Sequence, residues 1–100
     1  MIKIAKVRGA SMRPTLAPGD YLILTKARAQ TLRAGFVVLV DHPEYGRIVK
    51  RVKAVSESSL TIEGDNLAAS TASEDMGDVS LECIKGRARW AVTPKGLKRL

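Results

Sequence analysis

Turn-forming residues divide this chain into apolar segments that are too short for helices, and this spacing constrains the fold most strongly. Residues 2–7 alternate apolar and basic side chains, which is the period of a half-buried strand. Residues 36–40 form a continuous apolar run between Gly35 and the turn cluster at 42–46, and they indicate a buried strand. The chain is therefore expected to build its core from short strands.

The remaining segments follow the same pattern. Further strands are predicted over residues 21–26, 47–55 and 58–63, with one or two more over 79–92. Residues 27–34 suit a helical turn or a loop, and residues 64–77 form a long loop of small and polar residues. Many short strands with turn signals predict an all-β, mainly antiparallel domain that is closed or strongly coiled, with short helical turns.

The basic charge is unevenly distributed. The chain has 17 Lys and Arg residues against 10 Asp and Glu, for a net charge of +7. Residues 85–100 contain no acid, so we predict a single domain over residues 1–92 and a basic tail over 93–100. A nucleic acid is not the expected partner because only four aromatic residues exist to stack on bases. The basic tail would still allow peripheral contact with a membrane.

Cysteine and histidine each occur once, as Cys83 and His42. An intrachain disulfide is therefore impossible, and no spacing of metal ligands is present, so we expect neither a metal site nor a cofactor. The longest apolar run, at 36–40, is far below the roughly 20 residues of a membrane span, and the first residues lack the apolar core of a signal peptide. These features predict a soluble, cytoplasmic protein.

Ser11 is the first candidate for chemistry. It follows the first predicted strand and precedes a turn broken by Pro14, Pro18 and Gly19, so its hydroxyl would project from a rigid scaffold beside backbone N–H groups. Gly9 allows a positive φ or a close approach to a ligand. Ser11 is therefore a candidate nucleophile, and the alternative is an ordinary turn residue.

A serine hydroxyl needs a base to become a nucleophile. His42 lies in a His-Pro turn, so a Ser-His-Asp triad would depend on one loop residue, and Lys50 is the better candidate. A buried lysine loses its charge more easily, because removal from water disfavours the ammonium. A neutral Lys50 amine could then take the proton of Ser11.

The strand over residues 47–55 predicts that burial. Alternate residues of a strand face opposite sides. One face carries Ile48, Lys50, Val52 and Ala54, so Lys50 is its only charged residue, while the neighbouring basic residues point away. The alternative is that Lys50 extends its ammonium to solvent.

The third segment is Gly64-Asp65-Asn66, which alone indicates only a turn. In this order, the three segments resemble the signal peptidase I superfamily, which also contains self-cleaving repressor domains. Residues 9–16, GASMRPTL, followed by Gly-Asp at 19–20, resemble the nucleophile box, and residues 49–52, VKRV, resemble the lysine box. Residues 64–66, with Ser70 and Gly77, resemble the closing box.

The resemblance implies a coiled antiparallel β scaffold, or partly closed barrel, that carries a serine endopeptidase with a dyad of Ser11 and Lys50 and no metal. Gly9, Ser11 and Met12 would form the oxyanion and substrate site. The supporting residues would be Gly64, Asp65, Asn66 and Ser70, with Ser70 hydrogen-bonded to Lys50. Protein or peptide substrates would bind in extended form along a strand edge, with small residues before the cut.

Several interpretations stay open at this point. Gly9 stands where many members have a serine, and Ala72 and Glu74 stand where many have Asp and Arg. We favour a soluble maturation peptidase that cleaves a partner protein, similar in size and layout to the nickel superoxide dismutase maturation peptidases. The alternatives are a signal peptidase that meets the membrane through its basic tail or a partner subunit, a self-cleaving repressor-like domain, an inactive descendant, and a basic β module that binds nucleic acid through residues 85–99.

Overall fold

The computed structural model describes residues 2–66, 68 and 78–100. Within them, eight strands form a single sheet in which every pairing is antiparallel, and the only helical segments are short 3₁₀ turns, Ala29–Thr31 and Leu81–Cys83. The strands are β1 (Ile2–Lys6), β2 (Tyr21–Thr25), β3 (Val37–His42), β4 (Gly46–Val55), β5 (Ser59–Glu63), β6 (Asp78–Ser80), β7 (Ile84–Thr93) and β8 (Gly96–Arg99). The predicted all-β, mainly antiparallel class with short helical turns is confirmed.

The strands follow the order β1-β2-β7-β3-β4-β5-β6, and β8 pairs with β7. The strands of the described residues do not close into a barrel. The sheet nevertheless curls strongly, because β1 and β4 stand four places apart in this order and still line the same groove. The long strand β7 pairs with β2 on one edge, and its other edge is shared by β3 and then by β8.

The predicted basic tail over residues 93–100 contains a strand. Residues Gly96–Arg99 form β8, which continues the sheet beside the second half of β7. A tight turn between β7 and β8 allows this pairing. Gly96 adopts a φ of +113° in it, which residues other than glycine rarely adopt. The hydroxyl of Thr93 accepts a hydrogen bond from the backbone of Lys95 at 3.1 Å and donates one to the carbonyl of Gly96 at 3.0 Å.

The core consists of two clusters that meet at β3. Val37 and Leu39 of β3 pack into the first cluster, whereas Val38 and Val40 pack into the second. Both faces of β3 are therefore buried, which explains why its sequence is continuously apolar instead of alternating. The first cluster adds Val7, Met12, Leu16, Leu22, Leu24, Ala88 and Ala91, and the second adds Leu32, Val52, Leu60, Ile62 and Val79.

Burial predicts a clear difference between two leucine truncations. Leu22 is fully buried in the first cluster, whereas Leu97 of β8 is 65% exposed. We expect Leu22→Ala to lower the free energy of unfolding by about 2–5 kcal/mol because it leaves a cavity, and Leu97→Ala to lower it by less than about 1 kcal/mol. Urea denaturation measures both, and equal losses would contradict this assignment of the core.

Candidate active site

A groove of about 760 Å³ runs between β1, the loop that follows β1, and β4. Its lining residues are Ile4, Ala5, Lys6, Arg8, Gly9, Ser11, Leu39, Tyr45, Arg47, Ile48, Val49 and Lys50. Ser11 and Lys50, which the sequence singles out as nucleophile and base, therefore line the same groove. The two come from separate parts of the chain that the curl of the sheet brings to one place.

Lys50 lies on β4 opposite Val38 of β3, and only 4% of its surface is exposed. Burial lowers the pKa of its amine below the usual 10.5, because the charged ammonium is poorly solvated there. Among the described residues, no carboxylate forms an ion pair with Lys50. Burial therefore shifts the protonation equilibrium of Lys50 towards the neutral amine.

The alternation predicted for β4 holds only in part. Ile48 is half-buried and Val52 is buried, as expected for the face that carries Lys50. Ala54, which was assigned to the same face, is exposed. The reason is a shift in the pairing of β4 with β5 between Val52 and Ala54, which ends the regular alternation.

The loop that carries Ser11 is held from within the core. Met12 and Leu16 are each 1% exposed in the first cluster, and the backbone N–H of Leu16 donates to the carbonyl of Met12 at 2.9 Å. The side chain of Met12 thus belongs to the core, and only its backbone is left for the predicted role at the oxyanion and substrate site. Ser11 is half-buried between this anchor and Gly9.

Gly9 is required by the turn, not by crowding. Its φ is +71°, in the left-handed region, and a Cβ built on it would meet no atom within 4 Å. A serine there would have space but a strained backbone. Glycine adopts this conformation without strain.

Asn66 connects the turn over residues 64–66, here called the closing loop, to the loop of Ser11 by hydrogen bonds. Its backbone N–H donates to the carbonyl of Ser11 at 2.8 Å, and its side-chain amide donates to the carbonyl of Ala10 at 3.1 Å. Two peptide groups next to the candidate nucleophile are thereby oriented by one residue. Gly64 of the same turn is buried, while Ser70, the predicted partner of Lys50, lies outside the described residues together with Ala72 and Glu74.

Arg51 and Asp65 form a two-point ion pair beside the groove. Arg51 Nε and Nη2 donate to the two carboxylate oxygens of Asp65 at 2.8 and 2.7 Å, and Nη1 donates to the carbonyl of Gly35 at 2.7 Å. The hydrogen bond from Arg51 is the main reason that the pKa of Asp65 is lowered, and the same bond raises the pKa of Arg51. This pair connects β4 to the closing loop.

Thr15 extends this connection to the loop of the candidate nucleophile. Its hydroxyl donates to Asp65, and its carbonyl accepts from Lys98 of β8 at 2.7 Å. Neither Arg51 nor Thr15 is predicted from the sequence to have a function of its own. Arg51 follows Lys50 directly and was expected only to point away from the face that carries Lys50. No sequence pattern indicates that it forms an ion pair with an aspartate 14 positions later.

His42 has a structural role. It is buried at the end of β3, and its Nδ1 accepts the backbone N–H groups of Glu44 at 3.0 Å and Tyr45 at 3.3 Å. Its ring also packs against that of Tyr45, with centroids 4.8 Å apart. These contacts hold the turn between β3 and β4, and His42 is not among the residues that line the groove.

A comparison with protein-family models finds a match over the first two thirds of the chain. The family described as signal peptidase, peptidase S26, matches residues 1–68, a stretch that contains Ser11, Lys50, Asp65 and Asn66. The chain therefore belongs to the signal peptidase family, whose members are serine peptidases. Searches of curated proteins and of solved structures found no significant match. No helix in the described part of the chain has the length and hydropathy of a membrane span.

The two ion pairs of the described residues allow a matched test of the Asp65 contact. We expect Asp65→Asn to lower the free energy of unfolding by about 1.5–3 kcal/mol, because it leaves the half-buried Arg51 without its carboxylate. Asp41→Asn breaks the exposed pair with Arg47 and should cost less than about 1 kcal/mol. Chemical denaturation at pH 7 compares them, and similar losses would contradict the assigned role of Asp65.

The lowered pKa of Asp65 gives this difference a pH dependence. A carboxylate whose pKa is lower in the folded state stabilises the fold above the unfolded value of 3.8, and this stabilisation is lost as the pH falls through the folded value. The stability difference between the wild type and Asp65→Asn should therefore shrink below pH 3.8. A difference that stays constant down to pH 2 would contradict the assignment.

Proposed function

We propose that this chain is a serine endopeptidase in which Ser11 is the nucleophile and Lys50 is the general base. The observation that carries the proposal is that Ser11 and a lysine only 4% exposed line one groove. Burial lowers the pKa of the Lys50 amine, which favours the neutral form that a base needs. Membership of the signal peptidase family supports the same reaction class.

In the proposed mechanism, the amine of Lys50 takes the proton of the Ser11 hydroxyl while the oxygen attacks the carbonyl carbon of the substrate. The backbone N–H of Ser11 helps to stabilise the resulting oxyanion. The ammonium of Lys50 then returns the proton to the leaving amine, and an acyl-enzyme remains on Ser11. Lys50 next deprotonates a water molecule that hydrolyses this ester and regenerates both groups.

The substrate is proposed to be an extended segment of a partner protein. In the described part of the chain, β1 pairs only with β2, so its outer edge presents backbone groups that an extended peptide can pair with. Ile4, Ala5 and Lys6 of β1 line the groove that contains Ser11. A peptide segment that pairs with this edge would thus have its scissile bond close to Ser11.

The finer assignments stay predictions from the sequence. They are the resemblance to nickel superoxide dismutase maturation peptidases, the cytoplasmic location and the membrane contact through the basic C-terminal residues. A self-cleaving domain would differ from the proposed enzyme because it would process its own chain and not an added peptide. An inactive descendant would keep the groove but would not cleave peptides. A nucleic-acid module would bind nucleic acid equally well after substitution of Ser11.

Substitution of each dyad residue should abolish cleavage while the fold persists. We expect Ser11→Ala and Lys50→Met to lower kcat/KM by roughly 10³-fold or more on quenched fluorescent peptides with small residues before the cut. The matched controls are Ser58→Ala and Lys53→Met, which change exposed residues and should keep the wild-type rate. Retained cleavage in Ser11→Ala would contradict the proposal.

The pH dependence provides a second test of the base. Only the neutral amine of Lys50 can accept a proton, and burial places its pKa below 10.5. The value of kcat/KM should therefore rise with pH and level off, with a midpoint below 10.5. A profile that is flat, or that still rises steeply at pH 10.5, would contradict Lys50 as the base.

A further inference from the structure

A second cavity, away from the groove, is lined by several cations, and none of the described residues that line it is a carboxylate. It measures about 440 Å³ and lies between the 3₁₀ turn after β2 and the middle of β7. Its lining residues are Lys26, Ala27, Arg28, Thr31, Leu32, Arg33, Phe36, Arg87 and Arg89, none of which lines the groove of Ser11. We refer to it as the basic pocket.

The two stretches of chain that build the basic pocket contain no acidic residue of their own. No Asp or Glu occurs between Asp20 and Asp41, and none follows Glu82. The two stretches that build the basic pocket lie entirely inside these acid-free regions. Among the described residues, both ion pairs lie elsewhere, at Arg47 with Asp41 and at Arg51 with Asp65.

Arg87 is the most exceptional of the cations. Its guanidinium lies 3.4 Å from the ring centroid of Phe36, and its Nε is covered without a hydrogen-bond partner in the described part of the chain. Burial lowers the pKa of Arg87, and the positive charge of Arg89 lowers it further. No carboxylate of the described residues pairs with Arg87, so an anion held in the pocket would be attracted to its uncompensated charge.

Two of the other cations, Arg89 and Arg33, are positioned by neutral partners. Arg89 Nε donates to the hydroxyl of Thr25 at 3.1 Å, and Arg33 Nη1 donates to the carbonyl of Leu32 at 3.2 Å. These bonds orient the guanidinium groups without neutralising them. Several oriented cations around one concave space suit an anion with more than one charge.

We infer that the basic pocket binds a small multivalent phosphate anion of the size of pyrophosphate or a nucleoside triphosphate. Convergent guanidinium groups match the oxygens of phosphate in geometry and charge. A single-stranded nucleic acid fits less well, because it needs aromatic faces for its bases and Arg87 already covers a face of Phe36. This inference does not depend on the proposed peptidase activity.

Calorimetric titration of the full chain with sodium pyrophosphate, at constant ionic strength, tests the inference. We expect saturable binding with one site, and weaker binding of inorganic phosphate because it carries less charge. Arg28→Gln/Arg33→Gln should weaken pyrophosphate binding by at least about tenfold. Lys53→Gln/Lys95→Gln removes the same charge from exposed positions outside the pocket and should change it less than about twofold.

Three outcomes would overturn the inference. The first is that the wild type shows no saturable binding of pyrophosphate. The second is that both double variants lose the same affinity for pyrophosphate, which would indicate attraction by net charge only. The third is that an oligodeoxynucleotide binds more tightly per phosphate than pyrophosphate does and perturbs the amide resonances of residues 95–99. That result would indicate a nucleic-acid surface. Perturbations by pyrophosphate that cluster at residues 26–36 and 87–89 would support the pocket.

Discussion

The register of β4 places two consecutive basic side chains in opposite environments, and the candidate site depends on this difference. Arg51 meets both oxygens of Asp65, so its charge is compensated. Lys50 turns the other way, opposite Val38, and no carboxylate of the described residues compensates it. A shift of one residue would exchange the two environments, because side chains alternate along a strand. The register of β4 thus creates both the buried amine of Lys50 and the two-point ion pair between Arg51 and Asp65.

This ion pair also determines how the loop of Ser11 is held. Asp65 accepts hydrogen bonds from Arg51 on the sheet and from Thr15 on the loop, and the next residue, Asn66, donates to the carbonyls of Ala10 and Ser11. The closing loop is therefore the bridge between the strand of the candidate base and the loop of the candidate nucleophile. Met12 and Leu16 complete the anchorage from the core side. A nucleophile held from several sides keeps its geometry during a reaction.

The sequence predicts the local features of this molecule better than its long-range contacts. Alternation and turn residues indicate most of the strands, and the isolated charge among Ile48 and Val52 indicates the burial of Lys50. The pairing of Arg51 with Asp65 could not be predicted, because it depends on how β4, β5 and the following turn meet in space. The strand β8 was missed because a short basic segment gives little β signal, and its pairing with β7 decides its conformation.

The central claim is that the amine of Lys50 is neutral in the folded protein at a pH where an exposed lysine is charged. Its direct test is a pH titration of the Lys50 side chain by carbon and nitrogen NMR, assigned with the Lys50→Met variant. The account predicts a midpoint clearly below 10.5, caused by desolvation at this buried position. A midpoint at or above 10.5 would contradict it, since Lys50 would then be an ammonium and could not take the proton of Ser11.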